Sequence, residues 1–124
     1  MTGKQPDADV VRKAASLIRE RGLAQYALIQ EGRLCFTGAV LMAQGGPEAE
    51  KITDEAGDNL WGFGFDNSPV LQNQLRRIQL RAGDILKQRR LTLAPGLEVV
   101  NWNNQSGRTA NEVADLLDEV ATRL

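Results

Sequence analysis

The last fifteen residues of the chain carry its most regular apolar pattern. Thr109 and Glu112 stand three positions apart directly before it, the spacing at which a hydroxyl and a carboxylate reciprocally satisfy the unpaired amides of a helix start. We therefore expect a helix over 110–123. Its apolar residues recur at steps of three and four, so that one stripe must be buried. The stripe comprises Val113, Leu116, Leu117, Val120 and Leu124.

A large aromatic residue, Trp102, lies just upstream of this helix, among Asn101, Asn103 and Asn104. One interpretation is a buried anchor whose amide neighbours hold an irregular loop in place. The other is a polar interaction site that includes Trp102 and Arg108 and is held by a rigid helix. We favour the anchor, because Asn and Gly are common turn residues and nothing nearby supplies a nucleophile or a base.

A second amphipathic pattern near the N-terminus predicts a helix over 8–21, which Asp7 or Asp9 can cap. Gly22 is expected to end it in a backbone conformation with positive φ. The apolar stripe of this helix comprises Val10, Val11, Ala14, Leu17 and Ile18.

Between 26 and 36 the period of the pattern changes from that of a helix to that of short strands. Two β-favouring runs, 27–30 and 33–36, are separated by the two residues Glu31 and Gly32. Because Gly readily adopts positive φ, this spacing predicts a tight antiparallel hairpin.

Two further short elements are predicted next to these. Thr37 can cap a helix over 37–44 that is nearly uncharged and therefore buried on several sides. The β-favouring residues that lead into Trp102 predict a third short strand at 97–101.

The longest predicted helix spans 69–90. Ser68 is a capping hydroxyl, and Pro69 suits the first helical position that follows it. Apolar residues then alternate at four- and three-residue steps, which indicates a heptad-like seam. The seam comprises Leu71, Leu75, Ile78, Ala82 and Ile85.

The same helix holds the only marked charge asymmetry of the chain. Such a group can bind nucleic-acid phosphates or meet an acidic partner, for example the acidic 48–58 segment of another subunit. It can equally be a solvated face, and the six residues do not all fall on one side of a helix. The basic residues are Arg76, Arg77, Arg81, Lys87, Arg89 and Arg90.

Three of the six aromatic residues, Trp61, Phe63 and Phe65, lie among glycines between 57 and 67. Their rings either fill gaps between helices or form a loop that binds a partner, since Trp and Phe are common in interface hot spots. We favour the first interpretation and keep the three residues as candidates for an interaction site.

The composition excludes several chemistries. The chain has no histidine, which removes Ser-His-Asp and Cys-His catalysis and histidine-ligated metals. Its single thiol, Cys35, lies in an apolar pattern, where burial raises the pKa of a thiol. We therefore predict no enzyme activity, no cofactor and no metal site, with a small enzyme that uses Cys35 as the least favoured alternative.

Several segments near the two ends of the chain stand out together: Ala14–Gly22, Leu34–Ala39, Trp102-Asn103, Gly107-Arg108-Thr109, Glu112-Val113 and Leu116-Leu117. They resemble a family of small uncharacterised proteins of actinobacteria and actinophages. The family more often has Asp where this sequence has Asn104. No activity is assigned to the family, so the resemblance implies a source and leaves the function open.

Together these patterns predict an α+β fold, mainly α, with about four helices around a small antiparallel hairpin or three-stranded sheet. Residues 1–6 are expected to form a flexible tail and residues 7–124 a single globular domain. We expect a cytoplasmic protein, because no stretch is apolar enough for a membrane span or a signal peptide. The predicted function is that of a non-enzymatic accessory protein that binds a protein partner or itself. Nucleic-acid binding through 69–90 is the alternative.

Overall fold

A computed structural model describes residues 6–25, 29–45, 69–89 and 98–124. Within these residues the chain forms five helices and one two-stranded antiparallel hairpin, which confirms the α+β, mainly α fold. The elements are α1 (Asp7–Arg21), β1 (Ile29–Gln30), β2 (Arg33–Leu34), α2 (Phe36–Gly45), α3 (Pro69–Gln88), α4 (Glu98–Asn103) and α5 (Ala110–Arg123).

The core forms where the apolar stripes of the helices meet. Helix α1 packs most extensively against α5 and α2, and α3 closes the core from the side through contacts with α4, α5 and α2. Leu124 departs from its predicted place in the α5 stripe: it lies beyond the last helical turn and is exposed. The largest fully buried apolar side chains of the core are Phe36, Ile18, Leu34, Ile78, Ile85, Leu86 and Leu117.

Helices α5 and α1 begin in different ways. In α5 the predicted reciprocal cap is present: the Glu112 amide donates to Thr109 Oγ1 at 3.2 Å, and the Thr109 amide donates to Glu112 Oε1 at 3.0 Å. In α1 the N-cap is Pro6 and no side chain caps the helix, so the prediction for Asp7 or Asp9 was wrong. Asp7 instead accepts hydrogen bonds from Arg77 on α3.

Gly22 ends α1 as predicted, with φ at +95° and its N–H donating to the Ile18 carbonyl at 2.8 Å. A side chain here would also meet Arg33, because an added Cβ would lie 3.3 Å from Arg33 Cγ. The position therefore combines a positive φ with close packing against β2.

The hairpin is confirmed around its predicted turn. Ile29 pairs with Leu34 and Gln30 with Arg33, while Glu31 and Gly32 both have positive φ, as a type I′ turn requires. Strand β2 ends at Leu34 and is shorter than the predicted run 33–36, because Phe36 already belongs to α2; residues 26–28 lie outside the described part of the chain.

Helix α2 begins at Phe36, one residue earlier than predicted. The residue that meets its first amides is Cys35 and not Thr37. The Gly38 amide donates to Cys35 Sγ at 3.2 Å, and the Ala39 amide donates to the Cys35 carbonyl at 2.9 Å. The Thr37 hydroxyl instead accepts a hydrogen bond from Gln79 of α3 at 3.0 Å.

The third strand predicted at 97–101 was wrong. Residues 98–103 form α4, and Leu97 lies outside the described residues. This short helix turns Trp102 and Asn103 into the interior, where both side chains are buried. Tertiary contacts have overridden the local β preference of this segment.

Candidate interaction surface

The segment between α4 and α5 is held by Arg108. Its guanidinium lies 4.1 Å from the centre of the Trp102 ring, and its Nε donates to the Trp102 carbonyl at 3.0 Å. The same side chain donates to Glu112 Oε2 at 2.7 Å and to the side-chain oxygen of Gln105. Arg108 therefore closes the turn over the indole and ties it to the first turn of α5.

We call the contacts around Trp102, Asn103 and Arg108 that join α4 to α5 the junction. Asn103 forms its second half. Its Oδ1 accepts the Phe36 amide at 3.0 Å, and its Nδ2 donates to the Ala24 carbonyl at 3.1 Å. Gln25 donates to the backbone carbonyls of Asn103 and Gln105 at 3.1 and 2.7 Å. One buried amide thus joins α4 to the start of α2 and to the segment that follows α1.

These contacts decide between the two interpretations of Trp102. The side chain is only 4% exposed, and Arg108, whose side chain is 14% exposed, covers its ring. The geometry is that of a buried anchor, and neither side chain is presented to a partner in this conformation.

Glu112 completes the junction electrostatically. The Thr109 amide, the Arg108 guanidinium and the Thr109 hydroxyl all donate to its carboxylate, and they hold the pKa of Glu112 below its ordinary value.

The junction lies within the part of the sequence that matches a protein family. The model of a family of unknown function, DUF6197, matches residues 2–123. The chain belongs to this family. No curated protein and no solved structure matches it.

In this DUF6197 chain the candidate nucleophile is enclosed. Cys35 is 9% exposed between β2 and α2, and burial raises the pKa of its thiol despite hydrogen bonds to the sulfur from backbone amides. Among the described residues, no group of three or more acidic, cysteine or histidine side chains is placed to hold a metal ion.

Five of the candidate basic residues lie in the described part of the chain, and all five are exposed, but their ionic contacts differ. Arg77 makes a two-pronged contact to Asp7, with distances of 2.8 and 2.9 Å, and Arg89 pairs with Glu119. Arg76 and Arg81 have no carboxylate within 4.0 Å among the described residues. Arg90 and the aromatic candidates Trp61, Phe63 and Phe65 lie outside the described part of the chain.

The outward side of α3 also contains a residue that the sequence patterns did not single out. Leu80 is 63% exposed, although most large apolar side chains of the described residues are buried. The sequence could have shown this through the position of Leu80 in the helical repeat. Leu80 falls outside the apolar seam that contains Ile78 and Ala82, so it must point away from the core. The outward stripe of α3, as we call it below, comprises Asn73, Arg76, Leu80, Asp84 and Lys87, all exposed.

None of the described helices is long and apolar enough to cross a membrane.

Proposed function

We propose that this chain is a non-enzymatic accessory protein that acts through protein–protein contacts, and that the outward stripe of α3 is its contact surface. The observation that carries the proposal is the exposed Leu80 between the charged residues Arg76 and Asp84. In such a contact Leu80 would supply the buried apolar centre and the charged residues around it the polar rim, which is the general anatomy of protein interfaces.

The interior of the protein supports a binding role over catalysis. The sequence has no histidine, and the one thiol is buried with a raised pKa. The polar side chains of the Trp102 junction bind one another and the backbone. We propose a cytoplasmic location in an actinobacterium or its phage, on the buried free thiol and on the resemblance described above.

The test is affinity capture with three baits: the wild type, Leu80→Asp, and the control Ser16→Asp on the exposed face of α1. Proteins that bind through the stripe should be captured by the wild type and by Ser16→Asp and lost with Leu80→Asp. Identical capture by all three baits, with each variant folded by circular dichroism, would rule out this surface.

Nucleic-acid binding is the second candidate, favoured by the exposure of Arg76, Arg81 and Lys87 on α3. Against it, Asp84 lies in the same stripe, where its carboxylate would repel phosphates, and Arg77 already binds Asp7. A gel shift at low salt that is abolished by Arg76→Glu with Arg81→Glu would support this candidate. No shift at low salt would exclude it.

A further inference from the structure

The outward stripe of α3 has an internal symmetry. Its exposed residues follow one another at steps of three, four, four and three, so that at 100° per residue they form a single line along the helix. Leu80 is at the centre of that line. Arg76 and Asp84 lie four residues to either side of it, and Asn73 and Lys87 lie seven residues to either side.

Arg76 and Asp84 cannot meet within one chain. They lie eight positions apart, which is about 12 Å along a helix at 1.5 Å per residue. In the described part of the chain, neither side chain has an ionic partner within 4.0 Å. Most other described arginines do: Arg12, Arg19, Arg33, Arg77, Arg89, Arg108 and Arg123 each lie against a carboxylate.

We propose that the occupant of the stripe is the same stripe of a second copy, with the two α3 helices antiparallel across a two-fold axis at Leu80. In that arrangement a residue n positions before Leu80 faces the residue n positions after it. Leu80 then packs on Leu80 of the partner subunit. Arg76 faces Asp84 of the partner subunit, and the symmetry repeats this pair on the other side of the axis. This inference rests on the proposed function and names the partner.

Charge complementarity favours a second copy over other occupants. An antiparallel copy places Arg76 against Asp84 on both sides of the axis, and Lys87 against the uncharged Asn73. A nucleic acid or a uniformly acidic protein would leave Asp84 against like charge. The contact is small, since one pair of helices buries less than a standard interface, and its ion pairs are exposed and screened by salt. We therefore expect a reversible dimer with a dissociation constant on the order of 100 µM at low salt.

The test is a charge swap followed by sedimentation equilibrium over a concentration series at low salt. Arg76→Asp places acidic residues at both 76 and 84, and Asp84→Arg places basic residues at both positions, so each variant alone repels its own copy. Each should therefore dimerise at least about tenfold more weakly than the wild type. An equimolar mixture of the two should form a heterodimer, because both facing pairs of residues 76 and 84 are then of opposite sign. The double variant R76D/D84R should dimerise like the wild type.

Three results would overturn the proposal: a wild type that stays monomeric at millimolar concentration, single variants that dimerise as well as the wild type, or a mixture that does not associate. Ser16→Asp is the matched control and should dimerise normally. Tighter nucleic-acid binding by Asp84→Arg, with no change in self-association, would also overturn it.

Failure of this inference can be told apart from failure of the proposed function. A monomeric wild type whose captured proteins are still lost with Leu80→Asp removes the second copy and leaves the contact surface. Charge-swap rescue together with unchanged capture by Leu80→Asp supports the dimer and removes the proposed role of the stripe in binding other proteins.

Discussion

Two regions of this protein combine an arginine with a large apolar side chain, and the structure uses them in opposite ways. At the C-terminal junction, Arg108 covers the buried ring of Trp102 and binds both Glu112 and the backbone. On α3, Arg76 lies one turn from the exposed Leu80 without a carboxylate partner among the described residues. The same residue types therefore indicate scaffold where their bonding capacity is filled within the chain. We propose that they form a contact surface where it is not.

The largest expected effect is the loss of the buried ring at the junction. Trp102→Ala leaves a large cavity between α4 and the core and should lower the free energy of unfolding by about 3–5 kcal/mol. Trp102→Phe keeps a ring beneath Arg108 and should lose clearly less. It also removes an indole N–H that has no acceptor among the described residues. Urea denaturation of both variants measures the difference, and equal losses would contradict the ring-packing explanation.

The next largest effect is expected at Asn103. Asn103→Ala leaves the Phe36 amide and the Ala24 carbonyl without their side-chain partner in a buried setting, and should cost about 2–4 kcal/mol. The control is Asn111→Ala on the exposed face of α5, which should change stability by less than about 0.5 kcal/mol. A loss at Asn103 no greater than at Asn111 would show that the junction does not hold α4 to α2.

A smaller effect is expected from the cap of α5. Thr109→Ala removes the oxygen that accepts the Glu112 amide and should destabilise the fold by about 1 kcal/mol, whereas Thr109→Ser keeps that oxygen and should lose less. Thermal unfolding of the two variants tests this. A Ser variant as unstable as the Ala variant would argue that the methyl group and not the cap matters.

The smallest effect is one of pH. Because the folded state lowers the pKa of Glu112, the stabilisation from this group is complete above its unfolded pKa and is lost as the pH falls through its folded pKa. Glu112→Gln keeps the capping geometry but cannot titrate. Between about pH 5 and pH 3 it should therefore lose less stability than the wild type. Chemical denaturation at each pH measures the free energy of unfolding of both proteins. If the two lose stability in parallel over this range, Glu112 does not contribute to the pH dependence.

What the sequence could predict depends on the range of the interaction responsible. The α5 cap, the apolar stripe of α1 and the Glu31-Gly32 turn depend on residues within four positions of one another, and all three are confirmed. The third strand was wrong because α4 is held by Asn103, whose partners Phe36 and Ala24 lie 67 and 79 residues away.

The wrong cap predictions at Asp7 and Thr37 have the same physical origin. The Asp7 carboxylate binds Arg77, which lies 70 residues away, instead of capping α1. The hydroxyl of Thr37 is taken by Gln79, so the residue before α2 that meets its first amides is Cys35. For the contact surface, the basic residues of α3 were recognised from composition. The role that we propose for Leu80 rests on its exposure next to arginines that differ in their ionic contacts, which the sequence does not show.

The most direct test of the contrast between the two regions applies one substitution to both arginines. Arg108→Gln and Arg76→Gln are compared by urea denaturation at a protein concentration well below the dissociation constant of the proposed dimer, so that the protein is monomeric. Arg108→Gln should lower the free energy of unfolding by about 1–3 kcal/mol, because it removes the cation over Trp102 and bonds to Glu112 and the backbone. Arg76→Gln should change it by less than about 0.5 kcal/mol. A loss at Arg76 equal to or larger than that at Arg108 would contradict the distinction between scaffold and contact surface.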